Sequence, residues 1–242
     1  MSQQILVVSP HYDDAILSCY SMLAANPGAV VLTVFGGAPA VPTTASWDVE
    51  CGFSDSDVAV AARRSEDLNA LTLCHASQSS LDFLDSQYDP KRPSPTRLAE
   101  RVAREIDHAN PRLLLFPLGG RWHVDHEIAA EACWLALGRS SGLIGVAYLD
   151  LPYGLSNRWS APPDSRELSA GNPLQGMATK ADAFACYASQ AAPLRDAHKD
   201  MLDRALDPAT ERYWEVSRTP RRPVLTNKLR WLRSRVRQLG GA

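Results

Sequence analysis

Two short clusters of histidine and aspartate have residue types that could bind a metal ion and activate water. Their members are His11, Asp13 and Asp14 in the first cluster, and His123, Asp125 and His126 in the second. Residues i and i+3 of a turn or first helical turn face the same side, so His11 and Asp14 are a natural pair of ligands. One histidine of the second cluster would complete a His/Asp/His zinc site with an open position. Asp13 would then stay free as a base.

Both clusters directly follow segments that the sequence predicts to be buried strands. Residues 5–9 and 112–116 are short apolar runs of the kind found in parallel sheets. In open α/β sheets, ligands bind beyond the carboxyl ends of the strands. The strand predictions therefore place both clusters at the same edge of one sheet.

Strands and helices alternate through most of the chain, which predicts an α/β fold: a Rossmann-like parallel sheet with helices on both faces. Further strands are predicted at 30–35, 80–83 and 143–149, and helices at 57–74, 95–108, 125–137, 177–190 and 192–205. In the helix at 57–74 we expect Val58, Ala61, Ala62, Leu68 and Leu71 to face inward. Residues 150–176 are rich in Pro, Ser and Gly and are predicted to form a loop or lid.

The motifs resemble those of the PIG-L/LmbE-like family of zinc N-acetylglucosaminyl deacetylases. The resemblance rests on the segment 9–14 (Ser-Pro-His-Tyr-Asp-Asp) and on 123–126 (His-Val-Asp-His), and it extends through 63–66 and 81–85. It covers about residues 4–150. Tyr12, Ala15 and Trp122 depart from the usual pattern without removing a ligand or the base, which indicates an altered substrate pocket.

The resemblance implies a role for each matched residue. It implies zinc bound by His11, Asp14 and His126, with Asp13 as the general base. His123 would stabilise the oxyanion and protonate the leaving amine, and Asp125 would orient His123. Arg63 and Asp85 match positions that contact substrate in the family, although Arg63 as a surface charge, with Arg64 in its place, is an open alternative. The implied reaction removes an acyl group, in the first place acetyl, from the amino group of an N-acyl amino sugar or glycoconjugate.

Composition limits the class of protein. With 242 residues, 45% hydrophobic and 21% charged, the chain is long and apolar enough for a full core, which excludes wholesale disorder. Five scattered cysteines without C-x-x-C spacing argue against a disulfide framework or a thiolate zinc site. The N-terminus lacks the features of a signal peptide, so we expect a cytoplasmic protein.

Charge divides the chain into an expected deacetylase domain, residues 1–217, and a basic C-terminal tail, residues 218–242. The tail has eight basic and no acidic residues, which leaves 17 basic against 27 acidic residues, a net charge of −10, in the rest. Leucine and valine recur in the tail at helical spacing. Such a basic amphipathic helix could pack on the acidic body or attach to an anionic membrane surface at the inner membrane face. The acidic body argues against nucleic acid as a partner.

Two other functions fit part of the pattern. A metal-dependent phosphoesterase also uses His/Asp clusters, but it would need more carboxylates to bridge a second metal. A non-catalytic sugar- or nucleotide-binding α/β module would have the same fold without needing two histidines and Asp13 around one point. Metal stoichiometry separates the three: one zinc per chain favours the deacetylase, two the phosphoesterase and none the binding module.

Overall fold

The strands of the chain form one mixed sheet. A computed structural model describes residues 4–120, 122–155 and 159–217. Its strands are β1 (Ile5–Ser9), β2 (Val30–Thr33), β3 (Ser77–Ser80), β4 (Leu113–Pro117), β5 (Ile144–Tyr148), β6 (Arg166–Leu168) and β7 (Tyr213–Val216). Its helices are α1 (Asp14–Ala25), α2 (Ser46–Glu50), α3 (Ser56–Leu73), α4 (Pro95–Ala109), α5 (Val124–Arg139), α6 (Lys180–Phe184), α7 (Ala188–His198) and α8 (Asp200–Ala205). The strand order is β3-β2-β1-β4-β5-β7-β6.

The first five strands in this order are parallel, and they confirm the predicted α/β fold. Val7 of β1 pairs with Val31 of β2 on one side and with Leu115 of β4 on the other, and all three side chains are buried. Connections of parallel strands are right-handed, so α1 and α3 cover one face and α4 and α5 the other. In agreement, α4 packs on α5, whereas α1 and α3 both pack on α6.

The last two strands of the sheet join it by antiparallel pairing, which the sequence analysis did not predict. β7 pairs antiparallel with β5, and β6 pairs antiparallel with β7 at the edge. β6 falls within the segment 150–176 that was predicted to be a loop. It has three residues, Arg-Glu-Leu, none of them buried. Because so short and polar an edge strand has no hydrophobic alternation, pattern reasoning could not identify it.

Several predicted elements differ in their bounds; the helix predicted at 192–205, for example, is interrupted at Lys199, between α7 and α8. β3 occupies Ser77–Ser80 instead of 80–83, and beyond it only single bridges join Phe35 to Asp82 and Gly37 to Leu84. The helix predicted at 177–190 is divided into α6 and the start of α7. Tyr187 lies at the break between them, where its hydroxyl reaches the loop after β1.

The inward face of α3 agrees with the prediction only in part: Leu71 is buried as expected, whereas other predicted residues are not. Val58 and Leu68 are 49% and 50% exposed. The buried face instead carries Ala59, Arg63 and Asp67 at helical spacing. The charged side chains meet polar groups beneath the helix, so the apolar residues of α3 marked its inner side only in part.

A buried ion pair joins the C-terminal part of the domain to α1. Lys180 Nζ lies 2.8 Å from Glu211 Oε1, and both side chains are 1% exposed. The second carboxylate oxygen of Glu211 accepts a hydrogen bond from the backbone N–H of Ser21 in α1 and another from the hydroxyl of Tyr213 in β7. The pair therefore links α1, α6 and β7, and it holds the segment that leads into α7.

The sequence analysis also made predictions about membrane contact and about the basic tail. Within the described ranges, no helix combines the length and apolar character that crossing a bilayer requires. The basic tail, residues 218–242, lies outside the described residues, so its helix and the boundary at 217 stay predictions.

We expect Lys180→Met to lower the free energy of unfolding by about 3–5 kcal/mol, because it leaves the buried Glu211 carboxylate without its counter-ion. Arg195→Met is the matched control: Arg195 and Asp203 are 3.0 Å apart but 53% and 65% exposed, so its effect should stay below about 1 kcal/mol. Urea denaturation measures both. Equal losses in the two variants would contradict the structural role of the buried pair.

Candidate metal centre and active site

The two clusters meet at the carboxyl ends of β1 and β4, which are neighbours in the sheet. From β1 the chain proceeds outward to β2 and β3, and from β4 it proceeds the other way to β5. The clusters therefore lie at the point where the strand order reverses, the usual ligand site of open α/β sheets. Each cluster also begins a helix: Asp14 is the first residue of α1, and His123 is the N-cap of α5.

The loop after β1 is fixed by short-range hydrogen bonds. The Ser9 hydroxyl donates to the carbonyl of His11 (2.6 Å) and accepts from the backbone N–H of Ala15 (3.0 Å). The backbone N–H of His11 donates to Asp14 Oδ2 (2.9 Å). These contacts turn the His11 and Asp14 side chains to the same side, as their spacing predicts.

The carboxylate of Asp14 connects the two clusters. Its Oδ2 atom lies 3.2 Å from His11 Nδ1 and 3.3 Å from His126 Nε2. The ring of His123 is next to both: its centroid is 5.0 Å from that of His11 and 5.1 Å from that of His126. All three predicted ligands and the third histidine are thus brought together across more than a hundred residues of sequence.

The residues of this site are of the types that hold a metal ion. Ligand nitrogens of His11, His123 and His126 lie within 4.8 Å of one another. Nε2 of His126 is buried and makes no hydrogen bond within the described part of the chain, although Asp14 is near it. A buried, unsatisfied nitrogen is costly unless another atom binds it. Two imidazoles and a carboxylate are also a usual donor set of a catalytic zinc site.

Each ligand histidine is backed by a buried carboxylate on its other nitrogen. Asp150, two residues beyond β5, accepts from His126 Nδ1 (2.6 Å), and Asp125 lies 3.2 Å from His11 Nε2. Such carboxylates fix the tautomer and ring orientation of metal-bound histidines. Sequence reasoning missed Asp150, although it follows a predicted strand at the same sheet edge, because the segment after that strand was assigned to a loop.

The role predicted for Asp125 differs from the contacts that it makes. We expected it to orient His123, but its carboxylate faces His11 and accepts from the backbone N–H of Ser86 (3.0 Å). Its link to His123 is through the backbone: the Asp125 N–H donates to His123 Nδ1 (3.3 Å). The first turn of α5 thus directs the Asp125 side chain toward the loop after β1.

The Asp150 carboxylate is held in place by a second contact. Its Oδ2 atom accepts from the backbone N–H of Gly119 (3.0 Å). Gly119 has φ +72°, and a Cβ there would lie 2.4 Å from the Cβ of Ala130. The loop after β4 therefore needs glycine at this position to reach Asp150.

The carboxylates make the site attractive to cations. Burial lowers the pKa of His11, but Asp85, Asp125 and Asp14 outweigh it and raise the pKa well above its usual value. For His126, burial is likewise outweighed by Asp14 and Asp150, which raise the pKa to about 9. The site thus binds positive charge strongly at neutral pH, whether protons or a metal ion supply it.

Asp13 is separated from these contacts. It is buried, and its side chain makes no capping hydrogen bond to α1, although it occupies the N-cap position. Burial, together with the neighbouring Asp14 charge, raises its pKa to about 6. Asp13 is thus a buried carboxylate next to the predicted ligands that is not used to cap the helix. A general base must have its carboxylate available in this way.

His123 is a weak base in this setting. Burial, followed by the charges of His11 and His126, lowers its pKa to about 4. When protonated, such an imidazole gives up its proton readily.

His123 also lies near a residue that the sequence analysis did not single out. The ring of Tyr153 lies 6.1 Å from that of His123 and 5.3 Å from that of His126.

Arg63 and Asp85, the two predicted substrate contacts, line one cavity together with His11. Arg63 is 6% exposed, so the alternative of a surface charge is wrong. Its Nη2 atom lies 2.9 Å from Asp48, which also accepts from the hydroxyl of Tyr88 (2.8 Å). Asp85 Oδ2 lies 3.8 Å from His11 Nε2, so the cavity opens beside the metal ligands.

A network behind the loop after β1 was also missed. The hydroxyl of Tyr187 lies 2.7 Å from Asp67 Oδ1 and 3.0 Å from the carbonyl of Tyr12, and Gln78 donates to the other oxygen of Asp67 (2.7 Å). A hydroxyl has one proton to donate. A protonated Asp67 can donate to Tyr187, which then donates to Tyr12. In agreement, burial raises the pKa of Asp67 to about 7.

Comparison with known families gives one clear match. The model of the PIG-L family, described as GlcNAc-PI de-N-acetylase, matches residues 6–137, more than half of the 242 residues. The matched part includes both clusters. The search of curated proteins found no match.

Several solved structures of similar fold are deacetylases, although the fold also occurs in GalB, a 4-carboxy-2-hydroxymuconate hydratase that is 18% identical with a TM-score of 0.54. The zinc-inhibited form of the teicoplanin deacetylase Orf2 is 25% identical, with a TM-score of 0.75, over 90% of this chain and 100% of its own. The A40926 pseudoaglycone deacetylase Dbv21 is 28% identical, with a TM-score of 0.74, over 90% of this chain and 98% of its own. The N,N'-diacetylchitobiose deacetylase from Pyrococcus horikoshii, 14% identical, shares the fold with a TM-score of 0.59 over 83% of this chain and 76% of its own.

We expect Asp150→Asn to weaken zinc binding by about 10–100-fold. The single amide oxygen cannot serve both the Nδ1–H of His126 and the N–H of Gly119, and it lacks the negative charge. Competition with a chromophoric chelator measures the affinity without any substrate. The exposed Asp196→Asn variant is the control and should bind zinc as the wild type does. Unchanged affinity in Asp150→Asn would contradict the orienting role.

We expect Asp67 to make stability depend on pH. An unfolded aspartate ionises near pH 3.9, whereas folded Asp67 has a raised pKa, so the folded state keeps the proton longer. Its contribution to stability is fully present below about pH 4 and is lost as the pH rises toward 7, by roughly 4 kcal/mol at most. In Asp67→Asn this loss should disappear. Urea denaturation between pH 4 and 8 tests it, and parallel curves for variant and wild type would refute it.

Proposed function

Since the chain belongs to the PIG-L family, we propose that it is a zinc-dependent hydrolase that removes an acyl group, in the first place acetyl, from an N-acyl amino sugar or glycoconjugate. The observation that carries this proposal is the position of the Asp14 carboxylate between His11 and His126, with the buried Asp13 adjacent. The deacetylases of teicoplanin and A40926 pseudoaglycone biosynthesis have the same fold and support a sugar-containing substrate.

In this proposal His11, Asp14 and His126 hold the zinc ion. The nitrogens that face Asp14 would be the ligands, and Asp125 and Asp150 would keep the opposite nitrogens protonated. Zinc supplies positive charge that acidifies a water molecule and polarises the acyl oxygen. The remaining work falls to side chains of the chain itself.

Asp13 acts as the general base. An amide resists hydrolysis because neutral water is a poor nucleophile, so removing a proton from the attacking water lowers the barrier. Asp13 adjoins a ligand in sequence but does not share its hydrogen bonds. Its burial keeps bulk water away from the carboxylate, which retains the proton of the attacking water while His123 protonates the leaving amine.

His123 acts on the other side of the reacting carbon. Its ring is next to both ligand histidines, where it can donate a hydrogen bond to the acyl oxygen as negative charge develops there. The low pKa of His123 makes its protonated form a strong acid. It can therefore protonate the amine, which is a poor leaving group as an anion.

The second cluster of possible ligands bears on the phosphoesterase alternative. His11, Asp85 and Asp125 also have ligand atoms within 4.8 Å of one another. This cluster shares His11 with the first, and Asp125 there already accepts two contacts. A dinuclear site would need a carboxylate that bridges both ions, so the single-zinc hydrolase is favoured.

The function is tested by measuring acid release from a panel of N-acyl amino sugars. We expect turnover with one zinc per chain, loss of turnover after chelation and its return on adding zinc. Hydrolysis of phosphate esters with two metal ions per chain would instead establish the phosphoesterase. If neither activity is found and no metal binds, the non-catalytic sugar- or nucleotide-binding module is the remaining function.

We expect Asp13→Ala to reduce kcat by about 100-fold or more while zinc stays bound, since the base is lost and the ligands are kept. Metal analysis of the purified variant provides the second measurement. The exposed Asp196→Ala variant serves as the control. Near-normal turnover in Asp13→Ala would remove Asp13 from the role of base.

A further inference from the structure

The cavity beside His11 contains polar groups that the proposed reaction does not use. Its walls include Arg63 and Asp85, the aromatic side chains of Trp47 and Tyr88, and Gln190 of α7. Gln190 lies outside the segment 6–137 that matches the family model. A part of the chain outside the segment matched by the family model therefore helps to shape this cavity.

Two donors on the cavity wall lack a hydrogen-bond partner within the described part of the chain. They are Nε2 of Gln190, a residue 5% exposed, and Nε of Arg63, a residue 6% exposed. Buried donors are nearly always paired, because an unpaired one has lost its bonds to water without replacement. Two such donors that line the same cavity point to acceptor atoms of a bound molecule.

The position of Gln190 is enforced by neighbouring contacts. Glu66 of α3, one turn beyond Arg63, accepts from both the backbone N–H and the hydroxyl of Ser189, each at 2.7 Å. Tyr187, at the other side, is bound to Asp67 and to the loop after β1. The first turn of α7 is thus clamped to α3, which fixes the backbone position of Gln190 beside the cavity.

The chemistry of the walls selects the occupant. Arg63 is paired with Asp48, so the donors offer hydrogen bonds without an uncompensated positive charge. Asp85 adds an acceptor to the cavity wall, and the aromatic rings there, Trp47 and Tyr88 among them, add apolar surface. A neutral hydroxyl both donates and accepts, which matches this set better than an anionic phosphate does. The enclosed volume, about 40 Å³, has space for about three atoms of water size, which suits one substituent of a sugar ring.

We propose that Gln190 is a specificity-determining residue that binds a hydroxyl group of the amino-sugar substrate in the cavity formed with Arg63 and Asp85. The proposal rests on the proposed function for the substrate class, and it adds a recognition contact from the C-terminal part of the domain. It also explains why a buried amide is left without a partner.

Calorimetric titration of the zinc-loaded full chain with N-acetylglucosamine and its 3-, 4- and 6-deoxy analogues tests this. The wild type should bind the parent sugar about tenfold more tightly than one of the analogues, the effect of one hydrogen bond. Gln190→Met should bind the parent as weakly as that analogue and lose the discrimination. Its Tm should be unchanged or higher, since no hydrogen bond within the protein is lost.

Gln78→Met is the matched control. The Gln78 amide donates to the Arg64 carbonyl (2.9 Å) and to Asp67 (2.7 Å), so its loss should lower the Tm and leave the discrimination between sugars intact. If Gln190→Met keeps the wild-type preference, or if the wild type binds none of the sugars, the proposal is overturned. Binding with the expected preference but without acid release would overturn the proposed function alone.

Discussion

The site depends on one carboxylate shared by two imidazoles. Asp14, at the start of α1, lies within 3.3 Å of nitrogens of both His11 and His126, and it thereby joins the loops after β1 and β4. These strands are adjacent only because the chain reverses direction in the sheet after β3. Strand order, the helix starts and the short hydrogen bonds of the first loop all contribute to this single convergence of ligands.

Several buried carboxylates surround the point where these side chains meet. Asp125 and Asp150 each engage the outer nitrogen of a ligand histidine, so both imidazoles present their other nitrogen to the centre. Charged groups in a protein interior require compensation. A cation bound by these residues would provide it, which would connect the stability of the site to its chemistry. The same burial makes Asp13 and His123 differ in acid strength from their free side chains.

Polar residues on the inner face of α3 show where function overrides the usual pattern. Arg63, Glu66 and Asp67 take positions that an ordinary amphipathic helix would give to apolar side chains, while Val58 and Leu68 remain exposed. Glu66 and Asp67 bind Ser189 and Tyr187, which arrive from far along the chain. Hydrophobic periodicity predicted the helix and the buried Leu71 correctly but placed Val58 and Leu68 on the wrong side, because the inner face also packs against polar groups and a cavity.

The sequence by itself determined the alternation of strands and helices, the location of the two clusters at strand ends and the pair His11 and Asp14, since these follow from local periodicity and spacing. Only the tertiary structure decided the partners that come from distant segments. Asp150 behind His126, the turn of Asp125 toward His11, the antiparallel β6 and β7 and the entry of Gln190 into the cavity belong to this group. Each depends on which surfaces meet after the sheet has formed, and no local pattern encodes that.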